Sequence, residues 1–170
     1  MAETSVARGP VTVRTARPDE HDLVGELTVE VYVGGGLVEP DSGYVPELRD
    51  ARARAADTEL LVAELAGEVV GAVAYCPPGS RYAALAGADE AEFRMLAVVE
   101  RARGRGVGRA LVEACLDRAR AAGLSGLRLV TQHNMPAAHR LYERLGFRRT
   151  PERDWPLESG KHLLAYHMPL

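Results

Sequence analysis

Val11, Val13 and Thr15 alternate with Thr12 and Arg14, the period of a half-buried strand, so order is expected to begin at Val11. Residues 1–10 before and around it are small and polar without a period and read as a flexible N-terminal tail. Pro18 opens a helix whose first turn carries Asp19, Glu20 and Asp22, acidic groups suited to the positive end of the helix dipole. Leu23, Leu27 and Val31 form its apolar stripe, and Gly34, Gly35 and Gly36 stop it. A second helical stretch is predicted from Tyr44 to Ala56. The apolar runs Glu59–Leu65 and Val69–Tyr75, separated by Ala66, Gly67 and Glu68, have the pattern of a hairpin. Glu92–Val98 is a strand with apolar groups on both faces, as a central strand has.

Val107, Leu111, Ala114, Cys115 and Ala119 then recur at helical spacing, Gly123 stops that helix, and Leu127–Thr131 is a strand again. A strand, a helix and a strand in sequence predict a parallel pair. Pro136 opens a further helix to Leu145, with Gly146 as its stop and Leu141, Leu145 and Phe147 facing inward. Strands around Phe147–Thr150 and Leu163–Met168, joined through Asp154, Trp155, Pro156 and Gly160, close the chain. Residues 11–170 are read as one domain, in keeping with about 100–200 residues per domain.

Between the strand ending at Val98 and the helix starting near Val107 lies Arg103-Gly104-Arg105-Gly106-Val107-Gly108. Glycine at every second position lets a ligand approach the backbone, and the following helix points its first amides at the loop. That suits an anion, above all a phosphate, and Arg103, Arg105 and Arg109 add positive charge with bidentate geometry. A glycine-rich structural turn with solvated arginines is the alternative reading of the same residues. A net charge of −3 with 26% charged residues supplies no global attraction to nucleic acid or anionic membrane. Cys76 and Cys115 indicate neither a disulfide framework nor a metal cluster, and nowhere do about 18 apolar residues run together, so a cytoplasmic protein without a membrane span is expected.

Two motifs carry a resemblance. Arg103-x-x-Gly106-x-Gly108 follows the Ala97-Val98 strand end, and Leu141-Tyr142-Glu143-Arg144-Leu145-Gly146-Phe147 closes the later helix. In this order and spacing they resemble the GCN5-related N-acetyltransferase (GNAT) family, over nearly all of the chain from Val11 onward. The resemblance implies an α+β fold, a mixed and largely antiparallel central sheet flanked by helices, with a splayed parallel strand pair. It implies acetyl-CoA as acyl donor and no metal. The amides from Arg103 to Gly108, with Arg109 beside them, would hold the pyrophosphate; the pantetheine arm would lie along Leu96, Ala97 and Val98, where a bulge aims an amide at the thioester carbonyl.

By the same resemblance Tyr142 would protonate the departing thiolate and Glu92 would serve as general base. Asn134 matches the asparagine that contacts the coenzyme arm, although it stands eight residues before Tyr142 where the family spacing is seven. Glu100 stands where the family often has proline. Tyr32 and Tyr44 could line an acceptor pocket, and His133 and His139 read as loop and helix-surface residues. The implied function is acetyl transfer to a primary amine by direct attack in a ternary complex, with a small-molecule acceptor favoured over a protein. A non-catalytic acyl-CoA sensor or assembly module is the alternative. Family members are often dimers, and Leu163–Met168 could pair across such an interface.

Overall fold

The computed structural model describes residues 9–157 and 160–170. Residues 1–8, on which most of the expected tail falls, and Glu158 and Ser159 lie outside the described residues. The chain divides into two compact units, Met1–Ala74 with Met95–Ala114, and Tyr75–Arg94 with Cys115–Leu170.

In the first unit β1 (Thr12–Thr15) runs antiparallel to β2 (Glu59–Leu65), from Thr12 opposite Glu64 to Thr15 opposite Leu61. A hairpin joins β2 to β3 (Glu68–Cys76). Its turn residues Ala66 and Gly67 have φ of 52° and 79°, the pair of left-handed residues that matches strand twist. The sheet continues from β3 to β4 (Glu90–Val98), the Val99 amide donating to the Val70 carbonyl at 3.0 Å. Ala16, Val24, Ala51, Leu60, Val62, Ala72 and Ala74 pack into one buried cluster.

The first helix enters through a 3-10 turn, Pro18–Glu20, and becomes α1 at His21–Gly34. Its buried face differs from the expected stripe: Val24, Leu27, Thr28 and Val31 are buried, while Leu23 is 50% exposed. The reason is the neighbour. A Cβ on Gly25 would stand 2.0 Å from the Arg49 carbonyl oxygen, so the helix turns its glycine face against α2 (Val45–Arg49) and rotates Leu23 outward. The buried Thr28 hydroxyl is satisfied by the Val24 carbonyl at 2.7 Å. The continuous helix expected over 44–56 is broken into α2 and α3 (Ala51–Ala55) at Asp50, whose ψ of 65° is not helical and whose carboxylate accepts the Ala53 amide at 3.1 Å. Arg14 grips both Glu20 carboxylate oxygens at 2.7 and 2.9 Å, tying β1 to the helix entry.

In the second unit the first half of β4 pairs in parallel with β5 (Gly126–Gln132), from Glu90 opposite Gly126 to Glu92 opposite Arg128. The expected parallel pair is therefore present. β5 is antiparallel to β8 (His162–Pro169), which pairs on its other side with β6 (Arg148–Arg149) and β7 (Trp155–Pro156). β8 is thus an interior strand, with its edge taken up by its own chain. The connection from β6 to β8 is folded by Arg149, which holds Asp154 at 2.6 and 2.8 Å, while Asp154 also accepts the Ala165 amide. These bonds hold the Asp154 carboxyl below its ordinary range against the opposing effect of burial. α5 (Pro136–Leu145) ends at Gly146, whose φ of 105° requires a glycine. Leu141 and Leu145 are half-buried on it, and Tyr142 and Phe147 are the buried pair.

Candidate active site

In the first unit the strand regularity of β4 breaks at Met95, whose φ is 55°. A side-chain-bearing residue in that region costs on the order of 1 kcal/mol or more, so the surrounding structure must hold it there. The break lies one residue before the expected Leu96–Val98 segment. The Tyr32 hydroxyl, from the end of α1, donates to the Leu96 carbonyl at 3.4 Å, so this tyrosine meets the irregular strand directly. Tyr44 is half-buried before α2, its amide donating to Ser42 Oγ at 3.2 Å.

After Val98 a 3-10 turn, Glu100–Ala102, buries Ala102 and leads into the glycine loop. Glu100 opens this turn in the place of the family's proline, and the turn still closes through the Arg103 amide and the Glu100 carbonyl at 3.1 Å. Gly104 and Gly106 have φ of 75° and 79° and lie exposed. α4 (Val107–Ala121) begins immediately after, and the Ala110 amide donates to the Gly106 carbonyl at 3.0 Å. Helix geometry then leaves the amides of Val107, Gly108 and Arg109 directed out of the helix start. Arg103, Arg105 and Arg109 are exposed, but Arg109 Nε is paired with Glu113 at 2.8 Å along the helix. The start of α4 adds its own partial positive charge beside these arginines.

One residue absent from the sequence reading fixes this loop. A Cβ on Gly71 would meet Val107 Cγ1 at 3.0 Å, the Ala97 carbonyl oxygen at 3.1 Å and Leu111 Cδ1 at 3.1 Å. The bare glycine of β3 lets the start of α4 sit directly on the sheet, beside the end of β4. A glycine inside an apolar strand was the available signal, since such a residue marks close backbone approach.

In the second unit Tyr142 is 3% exposed within an aromatic cluster. Its ring centroid lies 5.9 Å from Phe93, 6.0 Å from Phe147 and 5.8 Å from Tyr166, tilted or edge-on in each case, as ring quadrupoles prefer. Burial and the charge of Glu143 push the Tyr166 phenol above its ordinary value. His139 is half-buried on α5, contacts the Gln132 carbonyl through Nε2 at 2.8 Å and lies 6.0 Å from Tyr166, so it supports the cluster rather than the surface expected for it. His133 and Asn134 are exposed in the turn between β5 and α5.

Glu92 is buried completely. Its Oε2 accepts the Ala84 amide at 2.9 Å and its Oε1 accepts those of Leu85 at 2.7 Å and Ala86 at 3.1 Å. It is therefore a closed carboxylate, fully partnered by the backbone. Among the described residues no group of three or more His, Cys, Asp or Glu side chains could hold a metal ion, and no helix is long and apolar enough to cross a membrane. Cys76 and Cys115 are both buried.

Residues 24–147 match the Acetyltransferase (GNAT) family. The chain belongs to this family. It is a GNAT-type N-acetyltransferase, and its mixed α+β sheet agrees with solved members. A GCN5-related N-acetyltransferase from Kribbella flavida is 28% identical, with 94% of this chain and 98% of that one covered and a TM-score of 0.70. A GNAT-family acetyltransferase from Staphylococcus aureus Mu50 is 14% identical over 95% and 99% of the two chains, with a TM-score of 0.75. The Salmonella typhimurium protein yncA, solved with its cofactor acetyl-CoA, is 22% identical over 95% and 94%, with a TM-score of 0.67. No curated protein matches the chain.

Proposed function

We propose that this GNAT protein takes acetyl-CoA as donor and moves its acetyl group to the primary amine of a small molecule, by direct attack in a ternary complex. The observation that carries the reading is the exposed Gly104–Gly106 loop running into the start of α4, two glycines in left-handed conformation followed by helix amides directed outward. These groups fit a pyrophosphate, and Arg103 and Arg105 complement its charge. Leu96, Ala97 and Val98, beyond the break at Met95, are assigned the pantetheine arm, and Asn134 a contact to it. Tyr32 and Tyr44 are assigned to the acceptor.

In the proposed step the neutral amine nitrogen attacks the thioester carbonyl, the C–N bond forms and the C–S bond breaks. The Tyr142 phenol gives its proton to the departing thiolate, and the proton lost by the amine returns the phenol through water. A thioester supplies the activated acyl group; the protein supplies position and the proton.

Thiol release by wild type and Tyr142→Phe, with acetyl-CoA and a panel including spermidine and phenylethylamine, tests this. The phenylalanine ring keeps the aromatic cluster, so coenzyme affinity by calorimetry should hold while kcat falls about a hundredfold or more. Acetyl-CoA binding without thiol release on any amine would replace catalysis by the sensor reading, and an unchanged rate in the variant would remove Tyr142 as proton donor.

A further inference from the structure

We propose that Glu92 is a positioning residue, which locks the Ala84–Ala86 turn as a fixed wall for the amine, and that it is not the base that deprotonates it. The inference rests on the acetyl-transfer reading above. Three consecutive backbone amides converging on one carboxylate form a nest, an arrangement that stabilises an anion by oriented dipoles. It is an internal use of the same backbone chemistry that the glycine loop offers to a ligand.

A general base must reach its proton at about 2.6–3.2 Å or through one water. Glu92 is 0% exposed, and freeing Oε1 for a substrate proton would leave the amide of buried Leu85 unmet. The turn is held equally firmly from its other side. The Leu85 carbonyl accepts from Arg153 Nη2 at 2.5 Å, and Leu85 itself is buried. Arg94 Nη1 donates to the Tyr82 carbonyl at 3.4 Å, and the Gly87 amide donates to Glu90 at 3.0 Å.

The composition explains why such anchors are needed. Ala83, Ala84, Ala86 and Gly87 bring almost no side chain to pack, so charged groups from β4 and from the 151–153 turn do what apolar burial does elsewhere. Glu92 and Arg153 together fix the connection before β4 to the connection after β6. Both are loop segments, where binding residues concentrate in general, and half-buried Tyr82, with Arg81 stacked 5.2 Å from its ring, lies on the first.

Glu92→Gln and Arg153→Ala test the assignment on the full chain. A glutamine keeps the shape but turns an NH2 group toward amide donors, and Arg153→Ala releases the Leu85 carbonyl without touching any candidate base. Both variants should speed backbone hydrogen exchange over residues 82–87 about tenfold or more and raise KM for spermidine or phenylethylamine about tenfold, the effect of one charge-assisted bond. The acidic limb of kcat/KM against pH should keep its midpoint, and acetyl-CoA affinity should stay unchanged.

Loss of that limb in Glu92→Gln, with KM and exchange as in wild type and Arg153→Ala neutral, would establish the base role and overturn the proposal. Wild type that binds acetyl-CoA but acetylates neither amine counts against the acetyl-transfer reading instead. The exchange measurement then decides alone, and protection of Ala84–Ala86 that survives Glu92→Gln refutes the lock.

Discussion

Replacing Gly71 by alanine isolates the contact that seats the start of α4, and with it the proposed phosphate loop, on the sheet. The new methyl would stand 3.0–3.1 Å from Val107 Cγ1, Leu111 Cδ1 and the Ala97 carbonyl oxygen, several tenths of an ångström inside ordinary contact on three sides. Val107 and Leu111 are 2% and 0% exposed and have nowhere to retreat, and the carbonyl belongs to the backbone of β4. Overpacking of this kind costs about 1–3 kcal/mol, offset by roughly 0.5–1 kcal/mol from removing a flexible glycine from a strand. The net loss is about 1–2 kcal/mol, or about 2–8 °C in Tm for a chain of this size. Because the methyl pushes on residues at both ends of the loop, the start of α4 moves with it. Coenzyme A affinity by calorimetry, at a temperature where both proteins are folded, should drop about three- to tenfold. Gly43→Ala, at a site with no atom within 4 Å of the new carbon, is the matched control and should change neither quantity. A Gly71→Ala protein of wild-type stability and affinity would show that close approach of α4 does not position the loop.

Two further outcomes follow from other contacts. Gly106→Ala forces a side chain into φ of 79° and should cost about 1–2 kcal/mol in the loop, weakening coenzyme A binding at least tenfold, whereas Arg105→Ala at an exposed site should weaken it less than about fivefold; equal losses would mean that side chains rather than amides hold the phosphates. Arg14 hydrogen bonds, with the Arg17 amide and against burial, hold the Glu20 carboxyl down to about 2 from its ordinary 4.5. A depressed folded-state value means stabilisation that is complete above about pH 4.5 and is lost as pH falls toward 2. The urea midpoint of wild type should therefore converge on that of Glu20→Gln between about pH 5 and 2, and a constant gap across that range would show that the pair does not contribute through ionisation.

The fold was legible wherever one neighbour decides the pattern. The parallel β4–β5 pair followed from strand, helix and strand in series, and the β2–β3 turn from Gly67. The reading slipped where a second neighbour intervened. Leu23, Leu27 and Val31 have faultless helical spacing, yet the rotation of α1 is set by the Arg49 carbonyl resting on Gly25, a contact far along the chain that periodicity does not encode. Asp50 likewise caps a new helix inside what its surroundings present as one.

The site divides along the same line. The turn at Gly104–Gly106 and the helix start behind it were readable because their signal is local, glycines followed within a few residues by a helical pattern. The surroundings of Glu92 were not legible because its partners are amides, and every residue has an amide, so no residue type at 84–86 announces the nest. Backbone recognition is invisible in sequence unless glycine or proline marks it. In this protein consecutive amides around Ala84–Ala86 are filled by the Glu92 carboxylate, whereas the proposed phosphate site at Gly104–Gly106 is built on glycines and lies exposed. Exposure, not the amide geometry, separates amides open to a ligand from amides already filled, and at Ala84–Ala86 the Glu92 carboxylate fills them.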